Sequence, residues 1–293
     1  MPGVEVRAAQ PKDREAVLAF CTHTWEWGDY IEYVWDEWLH DAQGLLLVAT
    51  LDGQPVGVAH LRMSTEKDAW LEGMRVDPKY RHHGLATALH QAMQVEAMRR
   101  GATHVRLMTA SDNTASISLT ERGGFRRMGA CAPFKAEPVT TPAGDYGPEM
   151  PAIATPDDIE DIIDYLNTSN IFPAIGGFYY HSFIAYPITD TLLKAKVAAQ
   201  QVYILRRWQR LDGLAIAEPR VSHQGRQLSI GYIDGTTESI SLIAYILRTR
   251  LVAMGLDNVY AYVPDLMMVR DAFVGAEYEW NNSIFYTYEK ALT

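Results

Sequence analysis

The stretch VDPKYRHHGLATALHQAM, from Val76 to Met93, decides how the first half of this chain folds. An apolar strand pattern ends at Val76, a turn containing Pro78 and Gly84 follows, and helical periodicity begins at Leu85. A helix that begins after such a turn can bind an anion, because its first N–H groups lack helical partners and the helix dipole is positive there. The stretch therefore predicts either an ordinary strand-to-helix turn or a cradle for a negatively charged group.

The side chains of this turn distinguish an anion cradle from a metal site. Gly84 would let the backbone approach a ligand closely, and the small Ala86 leaves room beside it. Arg81 is suited to pair with a phosphate or to brace the loop. His82 and His83 are adjacent, so they point in different directions, and no Cys, Asp or Glu lies at ligand spacing from them. The pattern favours the anion cradle, and no metal is expected.

The whole chain has the composition of an acidic globular protein. Its 293 residues suffice for two average domains, and 48% of them are hydrophobic. The net charge of −10 argues against a nucleic-acid-binding surface, and no apolar run approaches the roughly 18 residues of a membrane helix. The two cysteines, Cys21 and Cys131, have no CxxC spacing, which fits a reducing compartment. We expect a cytoplasmic monomer or homodimer without nucleic-acid or membrane partners.

The two halves of the chain carry the same order of elements. Each runs through a hairpin, a strand, a long helix, a strand, a short helix and a closing strand. Asp-Gly pairs mark the hairpins at Asp52–Gly53 and Asp212–Gly213, and a glycine ends each long helix. This predicts an internal duplication with a period near 150 residues. We expect domains at 1–137 and 152–293, joined by a Pro- and Gly-rich linker at 138–151.

At this point the sequence resembles the GNAT N-acyltransferase superfamily. The run Arg81-His82-His83-Gly84-Leu85-Ala86 matches the acyl-CoA signature (R/Q)-x-x-G-x-(G/A). Its context also matches: a strand ending V-D-P precedes it, and a 15-residue helix, the strand HVRLMTA and the stretch NTASISLTERGGF follow. The resemblance covers residues 4 to about 137 well, and residues 150–293 only by element order and the closing SIFYTYEKAL.

The resemblance implies an α+β fold of two tandem GNAT-like domains, each a mixed, mostly antiparallel sheet flanked by helices in three layers. It also implies acetyl-CoA as the acyl donor. The pyrophosphate would be held by the backbone N–H groups of Arg81, His82, His83, Gly84, Leu85, Ala86 and Thr87. The pantetheine arm would lie where the fourth strand splays from the fifth, along Met74, Arg75 and Val76, and near Asn113 and Ser116.

The resemblance also suggests candidates for the chemistry of acetyl transfer. The Met74 N–H would stabilise the oxyanion that forms from the thioester. Regular strand alternation would place Trp70, Glu72, Met74 and Val76 on one face, so Glu72 is the candidate general base, with an exposed strand residue as the alternative. At the position where many family members carry a proton-donating Tyr, this chain has Thr120, a poor acid.

Three tyrosines could replace Thr120 as the proton donor, namely Tyr30, Tyr33 and Tyr80, and proximity of the bound reactants could supply most of the rate.

The acceptor site would lie against the first two helices, where aromatic and acidic residues are concentrated. The segment from Thr22 to Asp41 holds four of the chain's seven Trp residues and several acids, which suits a cationic amine. Trp35 and Trp38 are three residues apart, which is typical of helix core. Trp25, Trp27, Asp29 and Tyr30 surround Gly28 in a predicted loop and are the better candidates for substrate contacts.

The second half lacks the signature at the matching place. It reads IDGTTES from Ile233 to Ser239, with Gly235 but with Asp234 where a pyrophosphate would approach. This predicts a degenerate copy that has lost CoA binding. The aromatic run from Gly176 to Phe183 is more typical of core or interface than of a binding site.

Together these features predict an acetyl-CoA-dependent N-acetyltransferase that acts on a small, cationic primary amine by direct attack in a ternary complex. The alternatives are a non-catalytic acyl-CoA-binding regulatory module and a protein acetyltransferase.

Overall fold

The structure is a computed structural model that describes residues 3–22, 24, 28–139, 150–222 and 225–293. The chain groups into two compact units. Unit 1 comprises Met1–Met108, Asn113–Arg126 and Tyr288–Thr293. Unit 2 comprises Thr109–Asp112 and Arg127–Thr287. No helix within these described ranges is both long and apolar enough to cross a membrane.

Unit 1 is a sheet with helices on both faces. Its strands are β1 (Val4–Ala8), β2 (Gly44–Leu51), β3 (Gln54–Met63), β4 (Asp68–Val76) and β5 (His104–Ala110), hydrogen-bonded in that order. Its helices are α1 (Arg14–Cys21), α2 (Ile31–Leu39), α3 (Leu85–Arg99) and α4 (Thr114–Arg122). The pairs from β1 to β4 are antiparallel, and β4 and β5 are parallel.

The Asp52–Gly53 hairpin was predicted correctly. Both residues have positive φ, 50° and 83°, which is the backbone of a type I′ turn between antiparallel strands. The prediction that Trp35 and Trp38 belong to the core is also confirmed, because they are 0% and 5% exposed on α2. They pack with Val48 and Val58 of the sheet, and burial of each ring contributes about 2–3 kcal/mol.

Unit 2 repeats this architecture. Its strands are β6 (Arg126–Ala136), β7 (Ala152–Ile153), β8 (Phe178–His181), β9 (Ile184–Pro187), β10 (Val202–Arg207), β11 (Arg210–Ser222), β12 (Gly225–Gly235), β13 (Asn258–Pro264) and β14 (Glu279–Trp280). Its helices are α5 (Ile159–Thr168), α6 (Ile171–Ala174), α7 (Asp190–Ala198), α8 (Thr237–Met254) and α9 (Met267–Gly275).

The strand order in unit 2 matches that of unit 1. The order β7-β10-β11-β12-β13-β6 again has antiparallel pairs up to a parallel pair, here β12 and β13. Two α+β units with the same strand order are therefore present, in agreement with the predicted fold class, and the internal duplication stays a prediction. Three residues of the aromatic run lie in the core, because Phe178, Tyr179 and Tyr180 are at most 2% exposed, whereas Phe183 is 37% exposed.

Two local predictions in the second half were wrong. The hairpin turn lies at Trp208–Gln209, with φ of 47° and 65°, and not at Asp212–Gly213, which lies inside β11. A Cβ at Gly213 would lie 2.8 Å from the end of the Ile243 side chain of α8, so a larger residue there would displace that side chain. The segment YEWNNSIFYTYEK, whose pattern predicts a closing hairpin, does not form one: β14 pairs with β6, and β15 (Phe285–Ala291) is a separate strand next to β5.

Each unit contains a strand from the other half of the chain. Residues 127–136 of β6 belong to unit 2, where they pair with β13. Tyr288–Thr293 belong to unit 1, where Glu289 pairs with Arg106 at 2.6 Å and the Leu292 N–H donates to the Thr103 carbonyl at 2.8 Å. The compact units therefore do not coincide residue for residue with the predicted domains 1–137 and 152–293. The boundaries of those domains stay a prediction. Most of the predicted linker, 138–151, lies outside the described residues.

We expect the C-terminal strand to contribute strongly to the stability of unit 1. Tyr288 is 2% exposed, and its hydroxyl donates to Glu121 of α4 at 3.0 Å. Tyr288→Ala should lower the free energy of unfolding by about 3–5 kcal/mol, because it leaves a large cavity. Tyr288→Phe loses only the hydrogen bond, at about 1 kcal/mol. Urea unfolding of both variants measures the difference; equal midpoints for wild type and Tyr288→Ala would contradict the expectation.

Candidate active site

Strand β4 carries a bulge in the middle of unit 1. Val58 pairs with Arg75 and His60 pairs with Glu72, so Gly73 and Met74 together oppose the single residue Ala59. Gly73 has φ of 67°, which a residue with a side chain rarely adopts. A Cβ at Gly73 would also overlap the ring of Trp38. The bulge is therefore fixed by glycine and by the indole packed on it.

The bulge changes the side-chain directions on β4 and corrects the sequence-based alternation. Because Val58 and His60 share a face of β3, their partners Arg75 and Glu72 share a face of β4. Val76 pairs with Gly57 and lies on the other face. The prediction that Glu72 and Val76 point to the same side was wrong, because the extra residue reverses the alternation after Gly73.

Strands β4 and β5 separate soon after they begin to pair. Residues 68–70 lie opposite residues 104–106, and no pairing between the two strands is present beyond them within the described residues, although β4 continues to Val76. From Leu71 onward, the backbone N–H and carbonyl groups on the edge of β4 that faces β5 therefore do not pair with β5. This opening is the place that the resemblance implies for the pantetheine arm, next to Met74 and Val76.

The turn after β4 forms a concave run of backbone N–H groups. His82 and Gly84 both have left-handed backbone, with φ of 66° and 75°. Among the described residues, no protein acceptor takes a hydrogen bond from the N–H groups of residues 82–87. Successive N–H groups of this kind bind anions, and the α3 dipole adds positive potential.

The side chains of the turn support its backbone. The Asp77 side chain accepts from the Lys79 N–H at 2.9 Å and so caps a short 3-10 turn, Pro78–Tyr80. The His83 ring contacts the Arg81 carbonyl with Nδ1 at 2.8 Å. The side chains of Arg81, His82 and His83 are exposed. Their backbone, and not the imidazoles, therefore lines the concave surface, and the roles predicted for residues 81–87 stay predictions.

Helix α4 begins at the residue predicted to contact the pantetheine arm. Asn113 is its N-cap, and its Oδ1 accepts from the Ser116 N–H at 3.1 Å. Thr120 is on the same helix and is 1% exposed. The predicted roles of Asn113, Ser116 and Thr120 in binding and proton transfer are not tested by these contacts.

Arg75 and Asp29, which the sequence predicted as binding residues, form an ion pair beside β4. The Arg75 guanidinium donates to Asp29 at 2.7 Å through Nε and to the Met74 carbonyl at 2.9 Å through Nη1. Asp29 is therefore neutralised by Arg75, whereas the sequence suggested that it would meet a cationic substrate. Arg75 in turn braces the bulge residue whose N–H is the oxyanion candidate.

The tyrosines that could replace Thr120 differ in their surroundings. Tyr30 lies next to Arg75, with the guanidinium 5.3 Å from the ring centroid, and burial raises the pKa of Tyr30 to about 12 although Arg75 opposes this shift. A phenol with that pKa is a weak donor for a thiolate, so it contributes a neutral polar contact. Tyr33 is 78% exposed, and Tyr80 lies in the turn before the cradle.

Glu72 is enclosed and hydrogen-bonded, unlike the exposed strand residue that the sequence left as an alternative. Its side chain is 20% exposed, and Oε1 lies 2.9 Å from Nδ1 of His60. The predicted role of Glu72 as general base stays a prediction. Asp29, Tyr30, Glu72 and Arg75 thus meet on one face of β4, while Trp25 and Trp27 lie outside the described residues.

Several residues of this site escaped the sequence analysis. Gly73 carried a signal, because an isolated glycine inside a strand pattern is typical of a bulge. His60, which contacts Glu72, and Trp38, whose ring stacks on His60, carried none, since their association depends on strand register and helix packing.

The matching place in unit 2 is closed by its own side chains. Thr236 caps α8 by accepting from the Ser239 N–H at 3.2 Å, and Ser239 donates to Asp212. Asp234 is 3% exposed and accepts from Tyr232 and Ser169, each at 2.6 Å. Burial raises the pKa of Asp234, and these hydroxyls oppose the shift. Thr236 therefore takes one of the N–H groups at the start of α8, and the buried Asp234 carboxylate lies two residues before it; the loss of CoA binding in this unit stays a prediction.

Comparisons with known proteins agree with this geometry. The sequence model of the Acetyltransferase (GNAT) family matches residues 14–125. N-alpha-acetyltransferase 30 of Schizosaccharomyces pombe (strain 972 / ATCC 24843) is 30% identical over 102 residues, which cover 33% of this chain and 68% of that protein.

Two solved structures share the fold over nearly the whole chain. A GCN5-related N-acetyltransferase from Sphaerobacter thermophilus is 15% identical, with a TM-score of 0.61 over 98% of this chain and 95% of that one. A GCN5-related glucosamine N-acetyltransferase region of a fungal multi-domain GH3 beta-N-acetylglucosaminidase is 14% identical, with a TM-score of 0.63 over 99% of this chain and 38% of that one.

Proposed function

Because the chain belongs to the GNAT family of acetyltransferases, we propose that unit 1 transfers the acetyl group of acetyl-CoA to a primary amine. The observation that carries this proposal is the continuous segment from the Gly73 bulge to the start of α3. It combines an opening beside β4 with a run of N–H groups at residues 82–87 for which the described part of the chain offers no acceptor. An extended thioester arm and a pyrophosphate match these two features in the same order.

The proposed reaction is a direct attack in a ternary complex. Glu72 accepts a proton from the ammonium group, directly or through water, and the free amine attacks the thioester carbonyl carbon. The N–H of Met74 stabilises the oxyanion. The C–S bond then breaks, and the second proton of the attacking nitrogen passes to the CoA thiolate, directly or through water, which leaves the neutral amide and CoA thiol. Proximity supplies much of the rate, since Thr120 is a poor proton donor.

The proposed acceptor is a small cationic amine, and a protein N-terminus is the second candidate. The second is favoured by the similarity to N-alpha-acetyltransferase 30 and by the Asp29–Arg75 ion pair, which removes one predicted counter-ion for a small cation. Both candidates present one primary amine to Glu72.

A single panel tests the reaction and separates the acceptors. Thiol release from acetyl-CoA is measured with small diamines, with short peptides that have a free N-terminus, and with the same peptides blocked at the N-terminus but containing Lys. Turnover with diamines supports the first candidate, and turnover with free peptides alone supports the second. Calorimetric binding of acetyl-CoA without turnover on any amine would instead favour a non-catalytic acyl-CoA-binding module.

We expect one acetyl-CoA per chain. Unit 2 should not bind it, because Thr236 and Asp234 occupy the matching helix start. Calorimetry should give a stoichiometry of one for wild type and for Asp234→Asn. A measured stoichiometry of two would contradict the degenerate-copy prediction.

A further inference from the structure

A largely buried ion pair links the strand that carries the bulge to the start of α2. Nε of Arg75 donates to Oδ2 of Asp29 at 2.7 Å, and Nη2 donates to Oδ1 at 3.3 Å. The two side chains are 15% and 3% exposed. A planar guanidinium that meets both oxygens of a carboxylate has little freedom to rotate. The pair therefore holds the start of α2 at a fixed distance from β4.

The third nitrogen of the guanidinium reaches back to the bulge. Nη1 of Arg75 donates to the Met74 carbonyl at 2.9 Å. A bulge disrupts the ladder with β3 locally, and β4 pairs with β5 only at residues 68–70 within the described part of the chain. The direction of the peptide groups next to Met74 therefore depends on side-chain contacts more than it would in a regular strand.

The peptide that carries the Met74 N–H is held on both sides. This peptide joins Gly73 to Met74. On the Gly73 side, the left-handed backbone packs against the ring of Trp38, which leaves no room for a Cβ. On the Met74 side, the Arg75 guanidinium holds the carbonyl. A rotation of this peptide would therefore disturb one contact or the other.

Helix α2 holds Asp29 and also contacts the bulge. Oδ1 of Asp29 accepts from the Ile31 N–H at 3.1 Å, where the helix begins. The Tyr30 ring centroid lies 5.3 Å from Cζ of Arg75 and 5.9 Å from the ring centroid of Trp38. Trp38, near the end of the helix, packs on the bulge. The contacts thus run in a closed circuit from the bulge through the ion pair and α2 and back to the bulge.

We propose that Arg75 and Asp29 are positioning residues that align the Met74 N–H with the thioester oxygen of acetyl-CoA. This inference rests on the proposed function of unit 1. Neither side chain gains or loses a proton in the reaction. A misaligned donor stabilises the oxyanion less than an aligned one, because such donors act from a preorganised position. Asp29 thus acts on the acyl donor through Arg75, and not on the acceptor as a counter-ion.

The thioester carbonyl reports this alignment before any acceptor is added. Acetyl-CoA with a carbon isotope label at this carbonyl is bound to the protein, and its infrared stretching frequency is compared with that of free acetyl-CoA. A hydrogen bond from Met74 should lower the frequency in wild type. Arg75→Lys should lose at least about half of that shift, because an ammonium group cannot reproduce the planar fork of a guanidinium. Asp29→Asn, which keeps an oxygen for the Ile31 N–H, should lose a smaller part.

The rates of acetyl transfer should follow the spectra. Arg75→Lys should lower kcat by about 10- to 100-fold and change the Kd for acetyl-CoA by less than about threefold, because the N–H groups of residues 82–87 are untouched. Asp29→Asn should lower kcat less. Adding Asp29→Asn to Arg75→Lys should lower kcat by no more than about a further twofold, because the two residues act as one unit.

A second ion pair in unit 1 provides a matched control. Arg7 of β1 donates to both oxygens of Asp13 at 2.7 and 2.9 Å, and the two side chains are 23% and 2% exposed. Two strands separate β1 from β4 in the sheet. Arg7→Lys should lower the melting temperature as Arg75→Lys does, but it should leave the carbonyl frequency and kcat unchanged. An equal loss of the shift in Arg7→Lys would indicate general loosening of unit 1 and would overturn the inference.

The spectrum separates this inference from its alternatives. It would be overturned by a bound carbonyl with the free frequency in wild type, or with the wild-type frequency in Arg75→Lys. An Asp29→Asn variant with an unchanged frequency and a raised KM for the acceptor would assign Asp29 to the acceptor site instead. A shift that Arg75→Lys loses, in a protein that acetylates no amine, supports the alignment and counts against the proposed function.

Discussion

Gly84→Val should weaken acetyl-CoA binding by at least about 100-fold, equivalent to about 2.8 kcal/mol. Gly84 has φ of 75°, and a β-branched residue is strongly disfavoured in that region. The substitution would rotate the N–H groups that start α3 away from one another and place two methyl groups beside them. Isothermal titration with acetyl-CoA measures the loss, and Gly84→Ala should give an intermediate value.

A matched control separates loss of the cradle from general backbone strain. Gly101, at the other end of α3, has φ of 92°, and a Cβ there would meet nothing within 4 Å. Gly101→Val should lower the melting temperature to a similar extent but leave the Kd for acetyl-CoA unchanged. If Gly84→Val binds acetyl-CoA as tightly as wild type, residues 82–87 do not hold the pyrophosphate.

Glu72→Gln should lower kcat by about 100- to 1,000-fold with acetyl-CoA binding unchanged. The amide keeps nearly the same shape but cannot accept the amine proton. The acid limb of the pH–rate profile should disappear, because the group responsible for it has been removed. Turnover of the best acceptor in the panel, measured across pH, checks both effects.

Glu66→Gln is the control for charge at this edge of unit 1. Glu66 is exposed in the loop before β4 and makes no contact with the site residues described above. Its loss should change kcat less than twofold. A Glu72→Gln enzyme with wild-type kcat and an intact acid limb would exclude Glu72 as the base.

The sequence was sufficient for the features that local patterns encode. The helix start after Val76, the Asp52–Gly53 turn and the burial of Trp35 follow from turn chemistry and helical periodicity, and the structure confirms them. Repetition of the same element order likewise predicted two related units. Such features depend on neighbours in sequence, so a single chain is enough to read them.

Features that depend on register and packing were missed. The bulge at Gly73 moves Arg75 to the face of Glu72, and a strict period of two cannot anticipate it. His60 lies 2.9 Å from Glu72 because β3 and β4 pair in this register. The Trp208–Gln209 turn was missed for another reason: neither residue is typical of a left-handed turn, and a better turn pair lies nearby at Asp212–Gly213.

The placement of Tyr288–Thr293 in unit 1 has a consequence for biosynthesis. Ribosomes add these residues, at about 5–20 residues per second, only after all of unit 2 has been polymerised. The unit that carries the acyl-CoA signature therefore waits for this strand for a time on the order of ten seconds or more. During that interval the nascent chain exposes the edge of β5 to other chains and to chaperones, and a stop codon just before Tyr288 would remove a strand from the unit that is mostly translated earlier.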